Sequence, residues 1–427
     1  MLVCPAVRKA SLLRLPSLTT AAFAAAVLTA LFFLASWNSL GRGGSERVAE
    51  AFRSQALGME IQGDRVPLQQ RFNDCLITIM AVEQRQPAER LFVSPVNPAD
   101  PTQDVCGDLR DGTGPNATAY YHNYLHGQTV LLRYLLPHFD VSAIKAMYKG
   151  LLSILLLAGA GLCLLRLIDG ARREESIVFL VATLAFSRFF GLEWFGDMLG
   201  NGPSDLIVIG FLAYLSARAG AMSAQGWIIS VAGFGALTMI FELLTGGLPL
   251  GAAMVLGLGW FALQKGERSP KLVVFGLIAY GIGAAVPAAA KVALVATLFG
   301  TSDVSQIALE GLNRVGSVYP PGFSELTVTS QLLLNLSSLA PGMWMIAAGT
   351  LCLAVTLGAV GVARHRSPEF LLLLASVAII FLWFAIFRQH TVLHASFMVR
   401  ILVWPIAAGF AVVALTALRA NRERPAR

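Results

Sequence analysis

Charge is what this sequence has least of. Asp, Glu, Lys and Arg together make up 13% of its 427 residues, where soluble domains carry about 25%. With hydrophobic residues at 56% and a mean hydropathy of +0.66, that scarcity excludes a soluble globular domain. A chain this apolar satisfies its backbone in lipid as a bundle of helices. Tandem repeats are absent. So is any matched pair of broken helices, the mark of an inverted-repeat transporter. Two H-x-x-x-H pairs, His122/His126 and His390/His394, have a spacing that suits metal on a helix face, but neither has a nearby Cys or closing carboxylate pattern. No cofactor is therefore read from the sequence, and a divalent metal is not indicated.

What is present is a series of long apolar runs. Ten of them, at 19–37, 147–168, 176–192, 204–219, 226–243, 246–264, 272–298, 342–363, 369–387 and 401–418, are long enough to cross a hydrocarbon layer about 30 Å thick. The fourth and fifth are short or interrupted by polar residues. A net charge of +7 raises nucleic acid as a partner, but the positions of the basic residues argue for a membrane instead. Arg8, Lys9, Arg14, Arg172, Arg173, Lys265, Arg268, Lys271, Arg364, Arg366, Arg419, Arg422, Arg424 and Arg427 all fall on one side if there are ten spans. By the positive-inside rule that side is cytoplasmic, with both termini in. The first run is longer than a signal-peptide core and lacks a good cleavage pattern, so it is expected to stay as a helix. The expected fold is an all-α polytopic membrane protein, one transmembrane domain over 1–427, in a bacterial inner membrane. A large first extracytoplasmic loop occupies 38–145.

That loop is too polar and too broken by Pro and Gly to be a conventional domain. Two segments in it carry helical periodicity. In Gln69–Arg85, Phe72, Cys75, Leu76, Ile79 and Met80 form an apolar stripe that suits a helix on the membrane surface, holding Asp74 near the bilayer. In Tyr120–Leu136, His122, His126, Thr129 and Arg133 fall on one polar stripe of an otherwise apolar helix. Cys75 and Cys106 share an oxidising compartment and are candidates for a disulfide, whereas Cys4, Cys163 and Cys352 read as packing residues.

The other ionisable groups near span ends gather on the same outer face: Glu193, Asp197, Glu242, Lys291, Arg314, Arg388, His390, His394 and Arg400. Such groups are expensive at membrane depth and are usually functional. Each also has a plainer reading. Arg388 and Arg400 can snorkel to headgroups, Glu242 and Lys291 can pair between helices, Glu193 and Asp197 can form a solvated turn, and Asp74 can be a surface acid.

The motifs N-D-C at Asp74, Y-L-H-G at His126, F-E-L-L-T at Glu242 and H-T-V-L-H-A-S-F-M-V-R at 390–400 resemble, in the same order, N-D-C, Y-W-H-G-Y, F-D-F-L-T and H-S-Y-I-H-x-x-F-x-x-R in a group of bacterial multispanning proteins. The layout resembles the GT-C superfamily of membrane glycosyltransferases, including bacterial arabinofuranosyltransferases. Leu125 stands where that group has an aromatic and Glu242 where it has Asp. A D-x-D or D-D pair, frequent in the superfamily, is absent around Asp74.

The resemblance implies transfer of a sugar from a polyprenyl-phosphate donor to an extracytoplasmic glycan, lipid or protein acceptor, with no nucleic acid involved. Arabinofuranose is one implied sugar and a hexose the other. Asp74 is the implied base for single-displacement inversion, while Glu242 as nucleophile would permit retention. Lys291, Arg400, Arg133 and Arg314 are the candidate phosphate partners, with His126, His390 and His394 as donors. Two other classes stay open. A transporter or flippase would want polar groups at the midplane. An O-antigen polymerase or ligase usually carries its large outer loop late in the chain.

Overall fold

The computed structural model describes residues 18–40, 70–83, 86–98, 105–107, 118–196, 198–242, 246–315, 329 and 367–422. These residues are mostly helical. Among the described residues, six helices are long and apolar enough to cross a membrane: α1 (Leu18–Ser39), α5 (Val141–Ile168), α9 (Ala224–Phe241), α11 (Pro270–Leu298), α13 (Pro368–Ile386) and the final one, whose apolar run is Val399–Asn421 and whose regular part, α16, is Val403–Arg422. The predicted spans at 176–192, 204–219 and 246–264 correspond to shorter helices, α6 (Arg173–Phe189), α8 (Gly202–Ala217) and α10 (Gly247–Ala262). The predicted span 342–363 lies outside the described residues.

Local chemistry sets several helix starts. The Asp140 side chain accepts from Ala143 N at 2.6 Å and opens α5; Ser269 Oγ accepts from Leu272 N at 3.1 Å and, with Pro270 in the first turn, opens α11. These caps satisfy amide groups that have no partner inside the helix. Large apolar side chains on α1 and α5, among them Phe23, Leu31, Ile154 and Leu157, stay exposed. On helices of this hydropathy they form a lipid-facing surface.

The centre of the bundle is α10, with 13 of its 16 residues buried. It packs against α6, α8, α9, α11, α13 and α16. Its glycines make that possible. Gly251 lies against Tyr280 and Phe234, Gly257 against Trp404 and Ser376, and Gly259 against Trp227 and Val273, leaving no room for a β-carbon. Small residues at crossings let helices in lipid gain close van der Waals contact, which is their main source of association. The tightest pair, α9 with α11, follows the same rule from both sides: Gly235 meets the Tyr280 carbonyl and Gly283 meets the Ala232 carbonyl.

The two ends of the bundle differ. At one end Arg268 pairs with Glu175, Arg419 with Glu174 at 3.0 Å and Glu369 at 2.6 Å, and Arg172 donates to the Ala219 carbonyl at 2.7 Å. Arg172, Arg268 and Arg419, which the sequence places on one side, thus meet. At the other end a cap sits over the bundle. It contains α2 (Gln70–Val82), α3 (Ala88–Leu91), a two-stranded antiparallel ribbon of β1 (Val96–Pro98) and β2 (Thr118–Tyr120), and α4 (Gly127–Leu135). The ribbon pairs Val96 with Tyr120 and Pro98 with Thr118. A Cys75–Cys106 disulfide, with Cα atoms 5.3 Å apart, ties α2 to the helical segment 105–107 beyond β1.

Two expectations about the cap are corrected. The segment from Gln69 is helical, but α2 does not lie with one open face. Asp74 and Thr78, beside the apolar stripe, are as buried as Ile77 and Ile79, because α4 packs on α2. The segment Tyr120–Leu136 is not one helix. Tyr120 ends β2, His126 takes a left-handed conformation (φ 62°), and the helix begins only at Gly127. That start brings the Gly127 backbone onto Ile240 and Phe241 at the end of α9, where no β-carbon fits. The stripe from His122 to Arg133 is therefore broken at its midpoint.

The α9–α11 crossing gives a direct test. Gly283→Ala is expected to destabilise by about 1–3 kcal/mol through overpacking, read as a lower melting temperature in detergent. Gly281→Ala, whose β-carbon would meet nothing within 4 Å, should leave it unchanged or raise it. Equal effects at both positions would refute the glycine contact.

Candidate functional site

Two separate polar constellations occupy the cap end. The first surrounds Asp74. Its Oδ2 lies 2.5 Å from Lys145 Nζ, and its Oδ1 accepts from Leu199 N at 2.8 Å. Asn73 Oδ1 accepts from Gly200 N at 3.2 Å. Asp74 is 2% exposed and Lys145 9%. Together they pin α2 to the first turn of α5 and to the turn before α8. Arg133 does a similar job one helix away. Its guanidinium donates to the Met80 carbonyl at 3.2 Å, to the Ala81 carbonyl at 3.4 Å and to Ser39 Oγ at 3.5 Å. Those carbonyls close α2, where helices leave acceptors unpaired and favour a cation. Burial lowers the Arg133 pKa to about 10, which keeps it charged at neutral pH.

The second constellation is larger and joins α11, α12 (Thr301–Val315) and α14 (Arg388–Leu393) to the segments around Ser94 and His122. Lys291, on α11 and 3% exposed, donates to the Val93 carbonyl and to Ser94 Oγ, the latter at 2.8 Å. Ser94 Oγ in turn lies 2.9 Å from His122 Nδ1, and His122 Nε2 lies 3.2 Å from Asp303 Oδ1. Asp303 belongs to α12, a helix where the sequence suggested only a loop. Further along α12, Glu310 accepts from Asn123 Nδ2. Arg314 Nη1 reaches His390 Nδ1 at 3.1 Å and His394 Nε2 at 3.2 Å. His390 lies on α14, and His394 sits between it and α15 (Ala395–Met398).

The guanidinium is a donor only, so both imidazoles accept from it and are neutral in this arrangement. Burial first, and the Arg314 charge second, hold the His394 pKa at about 4. Burial and then Lys291 hold His126 well below its usual value, while its Nε2 lies 3.0 Å from the Tyr121 carbonyl. His122 is lowered by the same two causes, partly offset by Asp303. The tyrosines Tyr121 and Tyr124 stack edge to face, with centroids 5.4 Å apart. Both hydroxyls are raised by burial; Arg314 pulls each down, and Glu242 adds to the rise at Tyr124. Tyr121, Tyr124, Glu242, Glu310 and Arg314 therefore share one electrostatic neighbourhood. Glu242 follows α9 and packs on Gly247 at the start of α10.

Of the residues singled out from the sequence, Glu242, Lys291, Arg314, His126, His390 and His394 belong to this constellation. Arg400 borders it but is engaged by Asp205, with Nη1 2.6 Å from Oδ1, both side chains at most 1% exposed, and lies 5.2 Å from the Phe190 ring. Asp205 is also within electrostatic reach of Glu242. Asp74 and Arg133 face other partners. Glu193, in the one-turn helix α7 (Leu192–Phe195), is exposed and 3.8 Å from Arg188, Arg388 is exposed, and Asp197 lies outside the described residues. Comparison with known protein families, curated proteins and solved structures returns no match.

The two H-x-x-x-H pairs behave differently: the first diverges, and the second converges on a guanidinium nitrogen, Arg314 Nη1. His122 and His126 turn to different partners, and the nitrogens of His390 and His394 that face each other's neighbourhood accept from Arg314. Among the described residues, no three His, Cys, Asp or Glu side chains are grouped to hold a metal ion. Sequence reasoning missed Ser94, Asp303, Glu310, Tyr121, Tyr124, Asp205 and Lys145. The aromatic pair flanking H-N in Y-Y-H-N-Y was the available signal for the tyrosines. Lys145, five residues after the cap residue Asp140, was visible as a charge just outside a predicted span.

Two measurements follow. Asp74→Asn should leave the Lys145 ammonium buried and unmatched, costing about 3–5 kcal/mol; Asp74→Leu with Lys145→Met should recover most of it, and a double variant no better than the single one would refute the pairing. The second concerns pH. Unfolded histidine titrates near 6.5 and His394 near 4 when folded, so the unfolded state binds the proton first. The stabilisation is complete above about pH 6.5 and is lost as pH falls toward about 4. Melting temperature should drop across that window, less steeply in His394→Gln; identical pH profiles would refute the coupling.

Proposed function

We propose that this chain is a membrane glycosyltransferase that moves a sugar from a polyprenyl-phosphate donor to an acceptor on the cap side of the bilayer. The observation that carries the reading is Arg314, presented by two neutral imidazoles at the end of an apolar helical bundle and within electrostatic reach of Tyr121 and Tyr124, the second of which Glu242 also reaches. Breaking a glycosidic bond to a lipid phosphate leaves charge on the phosphate oxygens. A preorganised guanidinium and hydroxyl donors at the membrane boundary are suited to stabilise it. On this reading the cap side is extracytoplasmic, the basic end cytoplasmic and the membrane a bacterial plasma membrane. The motif resemblance makes arabinofuranose the first donor sugar to try.

Of the two candidate carboxylates we assign the base role to Glu242. It lies within electrostatic reach of Tyr124, which Arg314 also reaches, whereas Asp74 is held by Lys145 and an amide and serves to position α2. The acceptor hydroxyl would give its proton to Glu242 as its oxygen bonds to the anomeric carbon. The anomeric C–O bond to phosphate breaks, and polyprenyl phosphate departs with the electron pair. With a single base and no covalent intermediate, the anomeric configuration inverts.

The distribution of buried charge favours this over transport. Among the described residues, Asp74, Glu83, Arg133, Lys145, Asp205, Glu242, Lys291 and Arg400 are buried at or within the cap end, and Glu175 and Glu369 at the first turns of α6 and α13. The middle of the bundle, where a transport path needs polar groups, has none of them.

Proteoliposomes holding the full chain and a panel of polyprenyl-phosphate sugars would test the reading. Glu242→Gln should lower transfer by roughly 10²–10⁴-fold, the usual contribution of a general base, with donor binding retained. Arg314→Ala should weaken donor binding as well. Undiminished transfer by Glu242→Gln would overturn the assignment of the base, and no transfer by the unaltered chain from any donor and acceptor pair would overturn the reaction.

A further inference from the structure

Helix α12 turns the usual amphipathic arrangement around. Its inner side is the charged one. Asp303, Glu310 and Arg314 recur at seven and eleven residues from the first and meet His122, Asn123 and the His390–His394 pair respectively. Its apolar residues are left outside, with Leu309 61% exposed, Leu312 69% and Val315 44%, on one stripe with Ala308. Ser302, Gln306 and Asn313 form an exposed polar flank between the two. The helix thus has three sides, one ionic, one apolar and one polar but uncharged.

Such a helix has no stable place in bulk water, where the leucines would be turned in and the charges out. It does fit a boundary. α12 starts three residues after the membrane-crossing α11 ends, through Gly300, whose positive φ of 108° turns the chain aside. It is therefore fixed at the level where hydrocarbon gives way to headgroups. There an apolar stripe can dip into acyl chains while a polar flank stays wet. A second copy of the chain is a poorer occupant. Three side chains on a 15-residue helix fall well short of the ~800 Å² that each partner of a stable interface contributes.

We infer that α12 is a membrane-seated latch: the stripe Leu309, Leu312 and Val315 binds the acyl region of the bilayer, and the opposite, ionic side closes the polar site between the segment 121–126, α11 and α14. The inference concerns where the helix lies and what it touches, and it stands whether or not the site transfers sugar. One consequence is that the site is separated from lipid by a single helix, held to the cap through His122 and Asn123 and to the α14 end through His390 and His394. A substrate with a polar head and an apolar tail would pass beside α12.

The test uses the full chain with Cys4, Cys163 and Cys352 changed to Ser, the Cys75–Cys106 pair kept, and one environment-sensitive fluorophore placed on Leu312→Cys, Leu309→Cys or Gln306→Cys. All three positions are exposed, so labelling removes no packing. In phosphatidylcholine vesicles the labels at 309 and 312 should emit to the blue of the label at 306. They should be quenched several-fold more by lipids carrying a nitroxide near the headgroup than by aqueous iodide, with the order reversed at 306. Iodide quenching at 309 and 312 equal to that at 306 would place the stripe in water and overturn the inference. Protection of both positions from both quenchers would show them covered by protein, and would overturn it equally.

Discussion

Lys291 carries its amine on the inward side of a membrane-crossing helix, seven residues before that helix ends, where neither water nor lipid solvates it. A buried ammonium needs acceptors within hydrogen-bond reach or it loses its proton or its position. The acceptors come from the Val93 carbonyl and Ser94, just beyond α3 in the cap. Much of the cap can be understood from that requirement. Ser36 on α1 donates to the Phe92 carbonyl at 2.7 Å and holds the same turn from the other side. The β1–β2 ribbon then brings His122 onto Ser94, and His122 brings Asp303 and with it α12. A chain of polar contacts runs from the interior of α11 to an exposed helix, and each link is set by the one before.

The bundle below is built the opposite way, from residues with almost nothing to contribute but shape. α10 has no charge and four glycines, and its neighbours approach until a phenol hydroxyl or an indole occupies the space of a missing β-carbon. Close approach makes the helices rigid with respect to one another. The loops at the cap end inherit that rigidity. Glu242 follows α9 directly and is backed by Gly247 of α10, and Gly127 docks on the last turn of α9. Arg400, in the 3₁₀ turn Val399–Leu402 before α16, is locked to Asp205 in the first turn of α8. The site is precise because the uncharged helices beneath it cannot shift.

How much of this can be read from sequence depends on the range of the interaction. The apolar runs are local, and their bounds agree with the helices to within a few residues, as at 272–298 against Pro270–Leu298, because Ser269 and Pro270 mark a helix start chemically. The polar partnerships are not local. Arg400 and Asp205 are 195 residues apart, and Lys291 and Ser94 197. Nothing in the neighbourhood of either residue names its partner. Asp74 and Arg133 drew attention for the right reason, being charges in an apolar context, yet that context serves equally to join helices. Periodicity also misled where backbone geometry overrode it. His122 and Thr129 share a helical stripe only if residues 121–126 are helical, and the left-handed His126 shows that they are not. In α12 the apolar residues Leu309, Leu312 and Val315 are visible in the sequence, but a search for a buried face gives them the wrong side.

Those cases share a physical origin. In a soluble protein the apolar side of an element points in, and a charge that points in is an exception to be explained. At the cap end of this protein both solvents are present, water above and hydrocarbon around, so an apolar side can point outward and remain satisfied. Charges are then free to point inward, provided that they find one another. Asp303 with His122, Glu310 with Asn123 and Arg314 with His390 and His394 are that arrangement on one helix. The same rule separates Glu242 from Asp74. A carboxylate matched by an ammonium at 2.5 Å and an amide at 2.8 Å has its geometry fully used in holding structure. Glu242 instead lies within electrostatic reach of Tyr124, as Arg314 does, and the proposed base role is given to it for that placement beside a guanidinium-bearing helix rather than for any structural pairing of the kind that holds Asp74.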